Sequence, residues 1–167
     1  MTIFKQAYKK YQHFLSDFSV RLLELKDSKR VWEIRNQPLV RNNSNDPQKI
    51  SWVKHQRWFK RKYFTPEKNF CFVLVEKNDK VIGYCRFDHQ CELDSYLISI
   101  AVDSEYHGRG LGHLLLNQSL RLLKPFISKP ILAEIKKENL PSIKVFEKNN
   151  FILFKEDDKN CYLKHTP

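Results

Sequence analysis

The chain has 167 residues, 41% of them hydrophobic and 29% charged, a balance that excludes a disordered or membrane-embedded class and predicts one soluble domain with a sizeable core. No apolar run approaches the roughly 18 residues that a membrane span needs. Thirty Lys and Arg against 19 Asp and Glu leave a net charge of +11, which favours an anionic partner. The basic residues are dispersed, with no arginine-rich tail, RNP-like aromatic motif or zinc-finger spacing, so nucleic acid is not the expected one.

The N-terminus has no continuous apolar stretch or small-residue cleavage site, and a cytoplasmic location is expected. Phe4, Tyr8, Tyr11 and Leu15 stand at helical spacing, predicting a helical extension over residues 1–17 that packs on the domain or on a second copy in a homodimer. The main domain then spans 18–167. Residues 18–27 alternate like a strand, and Asp27 is placed to cap a short helix carrying Val31, Trp32, Ile34 and Arg35. A polar, proline-broken loop follows from Asn36. Residues 51–64 are helical, with Trp52, Gln56 and Phe59 on one side and His55 beside them.

Two β-rich runs joined at Asn78-Asp79 predict a hairpin, and residues 96–103 a further strand. A helix from the turn after it stops at Pro125. Strand, helix, strand and strand complete the chain. The order is β, α, α, β, β, β, α, β, α, β, β, one α/β domain without repeat or linker. Cys71, Cys85, Cys91 and Cys161 have no CxxC pair and no ligand-like spacing with the six histidines, so reduced thiols and no metal are expected.

Only four glycines occur, and Gly108, Gly110 and Gly112 fall within five residues at a strand-to-helix turn. Neither a Walker-type loop nor a GxGxxG fingerprint fits, since residue 113 is histidine. His107-Gly-Arg-Gly-Leu-Gly still offers an anion cradle. Glycine lets ligand oxygens approach backbone N–H groups that the first helical turn leaves unpaired, with Arg109 and His113 as further donors.

The run V-D-S-E-Y-H-G-R-G-L-G after a strand resembles the acetyl-CoA motif of the GNAT N-acetyltransferase superfamily. Gly110 and Gly112 match its invariant positions, and His107 stands where Gln or Arg is usual. Glu134 to Phe151 is similar to a second motif of that family, with Asn139 at the asparagine that commonly contacts the cofactor. The resemblance covers roughly residues 18 to 165. It implies a mixed, mostly antiparallel sheet splayed between its fourth and fifth strands, with flanking helices. It also implies acetyl-CoA as co-substrate, its pantetheine along Ile100, Ala101 and Val102. Its pyrophosphate would lie on His107, Gly108, Arg109, Gly110, Leu111, Gly112 and His113, with Asn139 and Phe146 nearby.

For the acceptor, the segments W-E-I-R-N-Q-P and I-S-W-V-K-H-Q-R-W-F resemble acetyltransferases acting on nucleotide-linked amino sugars, of the pseudaminic acid pathway type. That resemblance implies Arg35, Asn36 and His55 as acceptor-binding residues. Two alternatives stand beside it: a protein N-terminal acetyltransferase of the ribosomal-protein alanine type, and a non-catalytic acyl-CoA-binding or RNA-associated module. The amine must lose a proton, for which Glu134 through water and His55 are the candidates. Many relatives use a tyrosine seven residues after the helix asparagine as acid. Here that position is Phe146, so the thiolate leaves unprotonated or Tyr84 or Tyr106 substitutes.

Overall fold

Antiparallel pairing dominates a single seven-stranded sheet in this computed structural model, which describes residues 17–65 and 68–167. The strands are β1 (Phe18–Leu22), β2 (Phe70–Glu76), β3 (Val81–Gln90), β4 (Ser95–Val102), β5 (Ile131–Lys136), β6 (Ile152–Glu156) and β7 (Asn160–His165). They lie in the order β1-β2-β3-β4-β5-β7-β6, and β4–β5 is the one parallel junction. The helices are α1 (Ser28–Arg35), α2 (Pro38–Asn42), α3 (Trp52–Phe64), α4 (Leu111–Leu123) and α5 (Leu140–Glu147). The expected N-terminal helix lies outside the described residues, apart from Asp17. Among the described residues no helix is long and apolar enough to cross a membrane.

The expected hairpin forms at Asn78-Asp79, with Asp79 at φ +63°, a left-handed value that aspartate tolerates in tight turns. Four local expectations needed correction. The strand from Phe18 ends at Leu22 and gives way to a 3-10 turn at Leu25–Asp27. There the Asp27 carboxylate accepts from the Glu24 N–H and takes both Arg21 Nη groups at 2.7 and 2.8 Å, so it does not cap α1 through its side chain. The proline-broken loop contains helix α2, because Pro38 sits at a first-turn position where its missing N–H costs nothing. On α3 the inward residues are His55 and Phe59, while Gln56 is exposed.

One apolar layer packs α4 and α5 on the sheet through Leu115, Leu116, Leu123 and Phe146 against Phe72, Leu74, Ile82, Ile131 and Ala133. The other packs α1 and α3 through Val31, Ile34 and Phe59 against Cys71, Val73 and Tyr84. Gly83 on β3 admits α4 to the sheet, since a Cβ there would meet the Ala101 carbonyl at 3.0 Å and Leu115 Cδ2 at 3.2 Å. All four cysteines are free thiols.

The decisive feature for the site is the β4–β5 junction. Its pairs are Tyr96 with Ile131 and Leu97 with Leu132. Beyond them the strands part, β5 stays paired with β7, and the edge of β4 from Ile98 to Val102 faces a gap. The predicted splay between the fourth and fifth strands is present.

Candidate active site

A cleft of about 790 Å³ runs along that gap. At one end are Tyr106, His107, Gly108, Gly110, Leu111, Gly112 and His113, with Asn139 and Phe146 alongside. Its middle is the β4 edge from Leu97 to Val102 facing Ala133, Glu134 and Ile135. The other end is formed by Arg35, Leu39, Val40, the segment from Asn43 to Asp46, Tyr84 and Arg86.

Local sequence explains the cradle. Gly108 and Gly110 have φ of +77° and +75°, and a Cβ on either would meet no atom within 4 Å. The requirement for glycine is therefore conformational on the protein side, and the space beside it is open to a ligand. The first intrahelical bond of α4 joins the Leu114 N–H to the Gly110 carbonyl, and glycine supplies no capping side chain. The N–H groups of Leu111, Gly112 and His113 thus lead the helix dipole toward the cleft. This donor set fits an anionic diphosphate.

Asp103 holds the turn from behind. It is 2% exposed, and its carboxylate accepts from Arg30 Nη2, from Gln37 Nε2 at 2.9 Å and from the Glu105 N–H at 3.1 Å. Burial opposes its charge, but the hydrogen bonds from Gln37 and Glu105 and the Arg30 guanidinium prevail and hold the carboxyl below its usual range. His107, at the unusual position, donates Nε2–H to the Val102 carbonyl at 2.9 Å and ties the turn to the end of β4. Arg109 is exposed and lies over the Tyr106 ring, 5.3 Å from its centroid, and is not among the residues that line the cleft. His113 Nδ1 accepts from Asn149, whose amide also bonds the Val145 carbonyl, so α4 and the end of α5 are locked together. Asn139 uses its side-chain oxygen to cap α5 through the Ser142 N–H, leaving its NH2 as the free function.

At the far end only part of the expected set assembles. Arg35 lines the cleft and donates Nη2 to the Asp46 carbonyl at 2.7 Å, while its Nη1 is buried without a partner. Asn36 does not line the cleft. Its carboxamide clamps the Ile50 backbone in both directions, at 3.0 and 2.8 Å, and so fixes the chain that leads into α3. His55 is also outside the cleft, and its assignment as catalytic and acceptor-binding is set aside. It is 1% exposed, donates Nε2–H to the Ser28 carbonyl at 2.9 Å, and is ringed by Trp52, Trp58 and Phe59. Burial lowers its pKa, so the neutral ring is a structural element joining α3 to α1.

Glu134 does reach the cleft. Ile131, Ala133 and Ile135 point into the α4–α5 core, which puts Glu134 on the opposite face of β5, where Asn160 Nδ2 donates to its carboxylate at 2.9 Å. Lys136, on the same face, spans the gap and donates to the Asn42 carbonyl at 2.6 Å, strapping the end of α2 over the site. Tyr84 and Arg86 lie on one face of β3, paired across the sheet with Ala101 and Ser99 of β4. Burial pushes the Tyr84 phenol up, so it stays protonated and can donate. Arg86 and Lys136 were missed in the sequence. The polar alternation Tyr84, Arg86, Asp88 within an apolar strand was the available signal.

A family model described as the acetyltransferase (GNAT) family matches residues 28–151. The chain belongs to the acetyltransferase (GNAT) family. It is an N-acetyltransferase with acetyl-CoA as the acetyl donor. Among relatives it is 27% identical over 138 residues to YwnH of Bacillus subtilis (strain 168), provisionally named a phosphinothricin acetyltransferase; the match covers 80% of this chain and 83% of that one. Among solved structures it resembles one provisionally titled a phosphinothricin N-acetyltransferase, at 24% identity and a TM-score of 0.76, over 89% of this chain and 98% of that chain. It also resembles yncA of Salmonella typhimurium, solved with acetyl-CoA, at 18% identity and a TM-score of 0.77, over 90% and 94% of the two chains. The structural likenesses match the fold described above.

Proposed function

We propose that residues 18–167 form a catalytic domain that acetylates a small primary amine in this cleft, the amine entering beside Arg35 and the donor lying along β4. The observation that carries this reading is the continuity of one cleft from the glycine turn, past the open β4 edge, to Arg35. In it the turn from His107 to His113 would bind the diphosphate of acetyl-CoA. The backbone of Ile100, Ala101 and Val102 would pair with the pantetheine amides, and Phe146 and Asn139 would flank it.

When bound, acetyl-CoA supplies an activated acyl group with a thiolate leaving group. The amine nitrogen bonds to the acyl carbon, the carbon–sulfur bond breaks, and the electron pair leaves with sulfur. Glu134 takes the amine's proton through water, its carboxylate oriented by Asn160. Tyr84, protonated and facing the cleft, donates to the departing sulfur in place of the tyrosine that Phe146 does not provide. The main contribution of the protein is to hold amine and thioester at attack distance.

The acceptor we favour is a small amino-acid-like amine, the class that the name of YwnH indicates for that protein. A nucleotide-linked amino sugar keeps Arg35 alone of its three expected contacts. An extended peptide would have to displace the roof that Lys136 straps down.

Gly110→Asp tests the cradle. It puts a Cβ and a negative charge where φ is +75° and the diphosphate would lie. The expected result in calorimetry is loss of acetyl-CoA binding with the thermal unfolding transition retained. Unchanged affinity in the folded variant would remove the reading.

A further inference from the structure

Two guanidiniums at the acceptor end of the cleft are left incompletely paired. Arg35 Nη1 and Arg86 Nε are both buried without a hydrogen-bond partner, although the rest of Arg35 is anchored to the Asp46 carbonyl. Arg86 shares its acidic partner. The Asp88 carboxylate is 3.8 Å from its Nε, and that acid also serves Lys62 at 3.8 Å and the Tyr63 hydroxyl at 3.3 Å. The Arg86 guanidinium lies over the Trp58 ring, 5.4 Å from its centroid, and the residue lines the cleft. Both cations act on one group: the fields of Arg86 and Arg35 each oppose the upward push that burial gives the Tyr84 phenol. Arg35, Tyr84 and Arg86 all line this cleft, and Tyr84 and Arg86 stand two residues apart on one face of β3.

Buried guanidinium N–H groups without acceptors are rare in folded proteins, and a planar fork is matched by an oxyanion. The acidic side chains lining the cleft are Asp46 and Glu134. Asp46 spends a carboxylate oxygen on the Gln48 N–H, and Glu134 stands on the far strand, held by Asn160.

We propose that the acceptor carries an oxyanion of its own, a carboxylate or a phosphoryl-type group, and that Arg35 and Arg86 select it by closing on that group while the amine points toward the thioester. The proposal rests on the reading of the cleft as the acetyl-transfer site. It assigns Arg35 and Arg86 to substrate selection and excludes polycationic amines, which two guanidiniums at the same end would repel.

The test uses the full chain in the presence of coenzyme A, with calorimetry for binding and thiol release from acetyl-CoA for transfer. The probes are phosphinothricin, its carboxamide, a uridine-diphosphate amino sugar and spermidine. At least one oxyanion-bearing amine should bind about tenfold or more tighter than spermidine. Arg35→Gln and Arg86→Gln should each remove most of that preference with acetyl-CoA affinity unchanged, and Arg86→Lys should restore part of it. Loss of binding in the carboxamide assigns the carboxylate, and preference for the diphosphate sugar assigns the phosphoryl source. Preference for spermidine, discrimination unchanged in both glutamine variants, or no binding of any oxyanion probe would overturn the proposal. Transfer to spermidine alone would sink this inference and leave the acetyl-transfer reading standing, whereas failure to bind acetyl-CoA or release thiol with any amine would sink both.

Discussion

His55 lies on the inner stripe of α3, four residues before Phe59, and its neutral ring fills the space between three aromatic side chains. Its folded pKa lies below the ordinary value of 6.5, because burial disfavours the cation. The unfolded chain therefore binds the proton more readily. The stability contributed by this ring is complete above about pH 6.5 and is lost as pH falls through the folded-state value. His55→Gln should be less stable than wild type near neutrality and should lose less on going from about pH 7.5 to about pH 5.5. Urea midpoints at the two pH values check this, and acetyl-CoA affinity should not follow His55. Phe146 presents a different case. It is 2% exposed and packs edge-on against Phe151, with ring centroids 4.8 Å apart and planes at 82°. A hydroxyl added there enters an apolar contact. Phe146→Tyr should lower stability by about 1–2 kcal/mol and, on the proposal that Tyr84 supplies the proton, change kcat by less than about tenfold. A large gain in turnover would instead restore the acid to position 146.

The elements were legible where periodicity and turn chemistry acted alone. The Asn78-Asp79 hairpin, the glycine turn and the stop of α4 before Pro125 follow from local rules, and the strand order of a recognised motif pair supplied the splay. The acceptor end was less legible, because its contacts join distant segments. Arg35, Asn36 and His55 were grouped by their pattern along the chain, but three different partners claim them: the cleft, the Ile50 backbone and the Ser28 carbonyl. Lys136 and Asn42 are 94 residues apart, and no local signal joins them. That strap gives a prediction of its own. Lys136→Ala frees the end of α2 without touching the glycine turn, so KM for the acceptor should rise severalfold while acetyl-CoA affinity holds. Steady-state kinetics with each substrate varied in turn decides it, and a parallel loss of acetyl-CoA binding would show that the strap supports the whole cleft.

Across the whole molecule the net charge is +11 with the histidines counted neutral, and at the cradle Arg109 places a cation near the N-terminus of α4. A polyanionic donor should feel this field, and its affinity should weaken by about threefold or more between about 50 and 300 mM salt. Titrations of acetyl-CoA at constant pH measure the slope, and a flat response would place the binding energy in hydrogen bonds alone. The parted strands carry a further consequence. With two residue pairs between β4 and β5, the sheet divides there into two blades that share one core, and the inner edge of one blade is a row of peptide groups open to the cleft. A donor that pairs with that edge acts as a removable eighth strand. Its occupancy then enters the folding equilibrium directly, adding about 2.7 kcal/mol when the free donor stands at about a hundred times its dissociation constant. The enzyme's persistence is thereby tied to the supply of the thioester it consumes: the chain saturated with donor unfolds less readily than the free chain.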